Sequence, residues 1–197
     1  MRVSQTAKGA ASALFISAKT TVAIPSACSL VRDALIQSTL DPSVREIKFL
    51  AQARVAATQI DLNAIVIVRD DGRFYLDVVP ARPVRDVEIE GMALIALAEL
   101  DLTPITLTAG DIRREPRFAN SRLVWSYRLH PVGISMRMRV LQILADDGPL
   151  NLARLLSAVR SDRDPGPAVM ALACSDLIEL DLVSRPLGPL TIARARA

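Results

Sequence analysis

The sequence predicts an α/β protein in which helices flank a mixed sheet and a small helical unit follows. Three observations point there. Two β-branched runs, Ala64–Val68 and Phe74–Val79, are separated by Arg69-Asp70-Asp71-Gly72-Arg73, and Asp-Gly between such runs signals a hairpin. Neither run alternates cleanly, as expected of strands covered by helices on both faces. A helix-period stretch between Val84 and Leu100 then leads into another β-branched strand, Pro104–Thr108. Hairpin, helix and strand in that order make an α/β sandwich the economical architecture.

Composition narrows the function classes. With 197 residues, 51% hydrophobic and 23% charged, the chain can bury one sizeable core or two modest ones. No uninterrupted apolar segment is long enough to span a bilayer. The net charge of +3 permits contact with nucleic acid without demanding it. The basicity is almost all arginine: Lys8, Lys19 and Lys48 are the only lysines, so a mechanism that needs a lysine later in the chain is excluded. Cys28 and Cys174 lack metal-ligand or redox spacing, which argues for buried apolar thiols.

In chain order, Met1–Pro25 reads as an arm with one short strand. Its Arg2 and Lys8 before Ala10–Ala18 resemble a secretory leader, but Lys19 cuts the apolar run short. Pro25-Ser26-Ala27-Cys28 also lacks the aliphatic residue expected before a lipidated cysteine, so a cytoplasmic protein is expected. Ser26 is placed to cap a helix through Ile36, with Leu30, Val31, Ala34 and Leu35 on one face. Asp41-Pro42 ends that helix, since proline disfavours the helical state in the residue before it. Val44–Arg54 has the alternation of an edge strand, and the hairpin and crossover helix follow. Ala109-Gly110-Asp111 opens a segment with Arg113, Arg114, Arg117 and Asn120, and a helix is expected over Leu123–Leu129.

Pro131-Val132-Gly133 punctuates the chain, and a second unit begins. It has an apolar helix over Met136–Ala145, a helix over Leu152–Val159 capped by Asn151, and a third over Pro167–Leu177. Strands Ile178–Ser184 and Leu190–Arg194 complete it. Three short helices and a two-strand wing are the order of a winged helix-turn-helix. Arg154, Arg160 and Arg163 flank its second helix, but Ala168–Cys174 on the third offers no groove-reading side chain. So apolar a helix points to docking or dimerisation rather than base readout.

Several segments together resemble the TnsA-type transposon endonucleases. The residues that carry the likeness are Leu30-Val31-Arg32-Asp33, Asp41-Pro42-Ser43-Val44, Leu62-Asn63-Ala64, Asp77-Val78-Val79 and Thr108-Ala109-Gly110-Asp111-Ile112-Arg113 with Asn120. The resemblance covers the chain from about Pro25 onward. It implies an arm at 1–25, a restriction-endonuclease-like domain at 26–130 and a winged-helix-like domain at 131–197. It also implies that Val31 stands in place of a helix Glu, Asn63 of a strand Asp, Asp77 of a Glu and Val79 of a Lys. Carboxylates hold magnesium through oxygen, and the lysine orients or deprotonates the attacking water. Two valines and an amide do neither.

The expected function is therefore that of a catalytically degenerate, DNA-binding or transposase-binding accessory without a cofactor. Two alternatives stay open. In one, Asp61, two positions before Asn63 and on its face of the strand, joins Asp77 in a weak magnesium site of an active endonuclease. In the other, the winged unit makes the protein a transcription regulator with an α/β sensor domain. Asp77 is itself explained without metal by pairing with Arg73 or Arg82. Arg113, Arg114 and Arg117, with Arg185 in the wing, are the candidate phosphate contacts, although Asp111 and Glu115 could equally neutralise that cluster. Trp125 and Tyr127 are expected in the core rather than stacked on bases, and the lone His130 has no nucleophile beside it.

Overall fold

In the computed structural model, which describes residues 13–26, 28–161 and 164–196, the chain opens with two short antiparallel strands, β1 (Ala13–Phe15) and β2 (Ile24–Ser26). Arg2, Lys8 and Arg163 lie outside the described residues. Helix α1 (Ser29–Leu40) follows, with Cys28 in the extended conformation at its N-cap and no side-chain cap. The expected cap, Ser26, instead pairs with Ala13 in the β1–β2 ribbon. Asp41 leaves the helix with φ −78° and ψ 119°, the extended state that Pro42 imposes on it.

The main sheet is built from β3 (Val44–Val55), β4 (Thr58–Arg69) and β5 (Gly72–Val78), consecutive and antiparallel. Helix α2 (Val87–Glu99), capped by Asp86 accepting from the Ile89 amide, crosses over to β6 (Thr103–Leu107), which runs parallel to β5. The order β3-β4-β5-β6 makes a four-stranded mixed sheet with the expected hairpin at its centre and β3 at an edge. Arg69 pairs with Gly72 across the Asp70-Asp71 turn, and Gly72 has φ +149°, a conformation side chains rarely adopt. A second two-residue turn, Ala56-Ala57, joins β3 to β4.

Both faces of this sheet are covered, and alternate residues divide between them. Ile60, Leu62 and Val66 pack with Ala93, Ala96 and Leu97 of α2. Ile65, Ile67, Leu76 and Val78 pack on the other side with Val31 and Leu35 of α1. Each such aliphatic side chain, fully buried, is worth about 1.5–3 kcal/mol, which fixes the register. That register slips twice: between Val44↔Arg69 and Glu46↔Val68 strand β3 carries one extra residue, and between Leu50↔Ala64 and Gln52↔Asp61 strand β4 carries one. Asn63 in this bulge has φ +51°, which asparagine tolerates better than most residues.

After β6 come α3 (Ala109–Ile112) and α4 (Arg117–Ser126). Thr108 and Asp111 form a reciprocal capping box on α3. Helix α4 starts and ends earlier than the expected Leu123–Leu129. The remaining elements are α5 (Ile134–Asp147), β7 (Leu150–Asn151), α6 (Leu152–Ala158), α7 (Gly166–Cys174), β8 (Ile178–Leu180) and β9 (Ile192–Ala195). Asn151 caps α6 through the Arg154 amide, as expected. The three strands form an antiparallel sheet in the order β7-β9-β8.

One apolar core runs through the sheet's α1 side into this C-terminal part. It joins Phe15, Val31, Val124 and Trp125 to Val140, Leu155, Val169 and Leu172. Every residue from Ala168 to Cys174 of α7 is buried, so that helix spends its apolar surface inside its own chain. This corrects the reading of α7 as a docking face. Asn120 of α4, 4% exposed, clasps the β8–β9 connection: its amide donates to the carbonyls of Leu182 and Arg185 at 2.9 and 2.8 Å and accepts from the Leu187 amide at 2.8 Å. Among the described residues no helix is long and apolar enough to cross a membrane.

Candidate functional site

Asp77 is the last residue but one of β5, and the parallel register sets it beside Thr106 of β6. A single 3-10 turn, Val79–Ala81, then reverses the chain and returns Arg82 to the acid. The guanidinium takes the carboxylate as a fork, Nε donating to Oδ1 at 2.7 Å and Nη2 to Oδ2 at 2.5 Å, while Thr106 Oγ1 donates to Oδ2 at 3.0 Å. These bonds, Arg82 foremost, hold the Asp77 carboxyl below the ordinary aspartate range against the opposing effect of burial. Of the two partners expected for Asp77, Arg82 is the one used; Arg73 reaches the Leu100 carbonyl at 3.4 Å instead.

The acid lies on a concavity of about 370 Å³ lined by Val31, Asn63, Tyr75, Asp77, Arg82 and Arg85, among others. Three of the four positions singled out by sequence, from α1, β4 and β5, therefore meet at one place. Val79 does not: it sits in the 3-10 turn, 37% exposed and outside the lining. The charges here are internally satisfied. Arg85 pairs with Glu90 at 3.2 Å and donates to the Leu62 carbonyl at 2.7 Å.

A hard divalent cation requires several oxygen ligands converging on it. Both oxygens of Asp77 are engaged by Arg82, Val31 has none to offer, and Asn63 supplies at most an amide. Asp61 accepts from Gln52 Nε2 of β3 at 2.9 Å and does not line the concavity. Among the described residues no three of the usual ligating side chains are grouped to hold a metal ion. The residues present do not fit magnesium.

The four arginines expected to contact phosphate divide. Arg114 pairs with Asp111 and Arg117 with Asp41, both at 3.2 Å. Arg185 offers its backbone carbonyl to Asn120 and leaves its side chain exposed. Arg113 lines a different concavity, of about 590 Å³, together with Arg32, Arg122, Arg128, Asp33 and Trp125. Among the described residues no acid forms an ion pair with any of these four arginines.

This arginine basin was missed by sequence reasoning. Arg32 lies on α1, Arg113 at the end of α3, Arg122 on α4 and Arg128 just beyond it, and only the packing of α1 against α3 and α4 brings them together. A local signal existed in the spacing from Phe118 to Arg122 and from Trp125 to Arg128. Both guanidinia lie over those rings, at 5.4 and 5.5 Å from the centroids. Trp125 is buried and stacked on Phe15 at 5.3 Å, the core role expected of it.

Cys28 and Cys174 are both free, and burial pushes the Cys174 thiol up to about 12, far from the thiolate a nucleophile needs. No protein-family model matches the chain, and no curated protein matches it.

Proposed function

We propose that this chain is a catalytically degenerate nuclease-fold protein that contacts DNA without cutting it, as a cytoplasmic accessory to a transposase or another DNA-processing enzyme. The order helix, three antiparallel strands, crossover helix and parallel strand supports a restriction-endonuclease-like unit over 26–130. The order α5, β7, α6, α7, β8, β9 supports a winged-helix-like unit over 131–197. The resemblance to TnsA-type endonucleases supplies the transposase partner.

The observation that carries the loss of catalysis is the Arg82 fork on Asp77. A guanidinium stays protonated, so it cannot serve as the base that activates water. It also occupies the oxygens a cation would need. Supercoiled plasmid incubated with magnesium or manganese tests this: wild type and Asp77→Ala should leave equal, background amounts of nicked circle. Nicking by the wild type that Asp77→Ala abolishes would establish an active endonuclease instead.

A further inference from the structure

We propose that the basin formed by Arg32, Arg113, Arg122 and Arg128 is the nucleic-acid site, and that it grips the phosphodiester backbone of duplex DNA rather than its bases. The inference rests on the DNA-contacting reading above and assigns it a surface. Four guanidinia face one carboxylate, Asp33, along this wall, a positive excess as large as the net +3 of the entire chain. Several arginines elsewhere are ion-paired, Arg45 with Asp70, Arg82 with Asp77, Arg85 with Glu90, Arg117 with Asp41 and Arg196 with Glu179, whereas among the described residues none of the four in the basin is. Like charges gathered in such excess over acids repel one another and are relieved by an incoming anion.

The geometry specifies the kind of anion contact. Arg122 and Arg128 are seated on Phe118 and Trp125, with Arg128 Nη1 also donating to the Trp125 carbonyl at 3.3 Å, so they lose less freedom when they bind and present their remaining donors to phosphate oxygens. Seated there, they also cover aromatic faces on which an unpaired base would stack, and Trp125 is buried in any case. Ser29, the first residue of α1, lines the same wall, which adds the positive end of that helix's dipole. Contacts of this class position a duplex without reading its sequence.

Fluorescence anisotropy of a labelled random-sequence duplex, followed through a salt series, tests the assignment. Arg113→Ala/Arg122→Ala/Arg128→Ala should flatten the slope of log affinity against log salt by about 3, roughly one unit for each phosphate released. Arg113→Ala alone, exposed and away from the aromatic seats, should flatten it by about 1. The triple lysine variant should keep the wild-type slope, and Arg154→Ala on α6 should change nothing. A wild-type slope in both alanine variants would overturn the basin and leave DNA contact to another face. Absence of duplex binding by the wild type would overturn the DNA-contacting reading itself. Displacement of the duplex by polyglutamate at equal charge would point to an acidic polypeptide and overturn the nucleic-acid assignment.

Discussion

The Asp77 concavity and the arginine basin differ in how their charges are settled. In the first, Arg82 closes on Asp77 and Arg85 on Glu90, so the wall is internally neutral and gains little from a further ion. In the second, four arginines share a wall with the single acid Asp33 and none is ion-paired among the described residues, and two of them lie over aromatic rings. A site whose charges are already paired is finished as structure. A site whose charges are held in place but unpaired is prepared for a ligand. The positions singled out by the resemblance direct attention to the first, and the pairing pattern directs it to the second.

The comparison can be broken most severely at Trp125, which lines the basin and lies in the core. Trp125→Ala should cost about 3–5 kcal/mol of stability in urea unfolding, the usual range for a large buried aromatic, and should unseat Arg128. A loss below about 1 kcal/mol would mean that the ring is not packed as described. Next is Asn120, whose amide group secures the 182–187 connection to α4. Asn120→Ala leaves two carbonyls and an amide to find other partners, at a cost of about 1–3 kcal/mol, and amide exchange at Leu187 should accelerate. Unchanged exchange there would count against the clasp.

The central hairpin was legible because Asp70-Asp71-Gly72 carries turn chemistry between β-branched runs, and Asn151 because a cap followed by an apolar helical run is a local signal. The β3–β4 hairpin was not: Ala56-Ala57 is a turn without turn residues, and Ala56 takes φ +52° regardless. Ser26 looks like a cap in isolation and is claimed by strand pairing with Ala13. The apolar run of α7 could not reveal whether its partner was another molecule or α4 of the same chain. That Val31, Asn63 and Asp77 line one concavity was not legible in periodicity or spacing; only the resemblance grouped them. The basin depends on three segments converging, so only Arg113 among its four arginines was picked out as a phosphate contact.

The first site can be sharpened by reopening it. Asn63→Asp with Arg82→Ala would put two carboxylates without their arginine on one concavity, and asparagine's left-handed backbone there also suits aspartate. Weak manganese binding, on the order of millimolar, should appear by calorimetry, and no heat above that of buffer would show that the two groups do not converge. The smallest effect concerns pH. Because the folded Asp77 carboxyl is depressed below its ordinary value of 3.8, its pair stabilises the fold above that pH, and the stabilisation is lost as pH falls through the lower folded value. Asp77→Asn should therefore remove part of the acid-side fall in melting temperature. An unaltered fall would assign it to other carboxylates.

The most direct trial of the central claim is a manganese titration of the wild type followed by the paramagnetic resonance of the free ion. If Arg82 has closed the Asp77 concavity, the free-ion signal should match that of Asp77→Ala at every concentration below about a millimolar. A bound fraction present in the wild type and missing from Asp77→Ala would contradict the account.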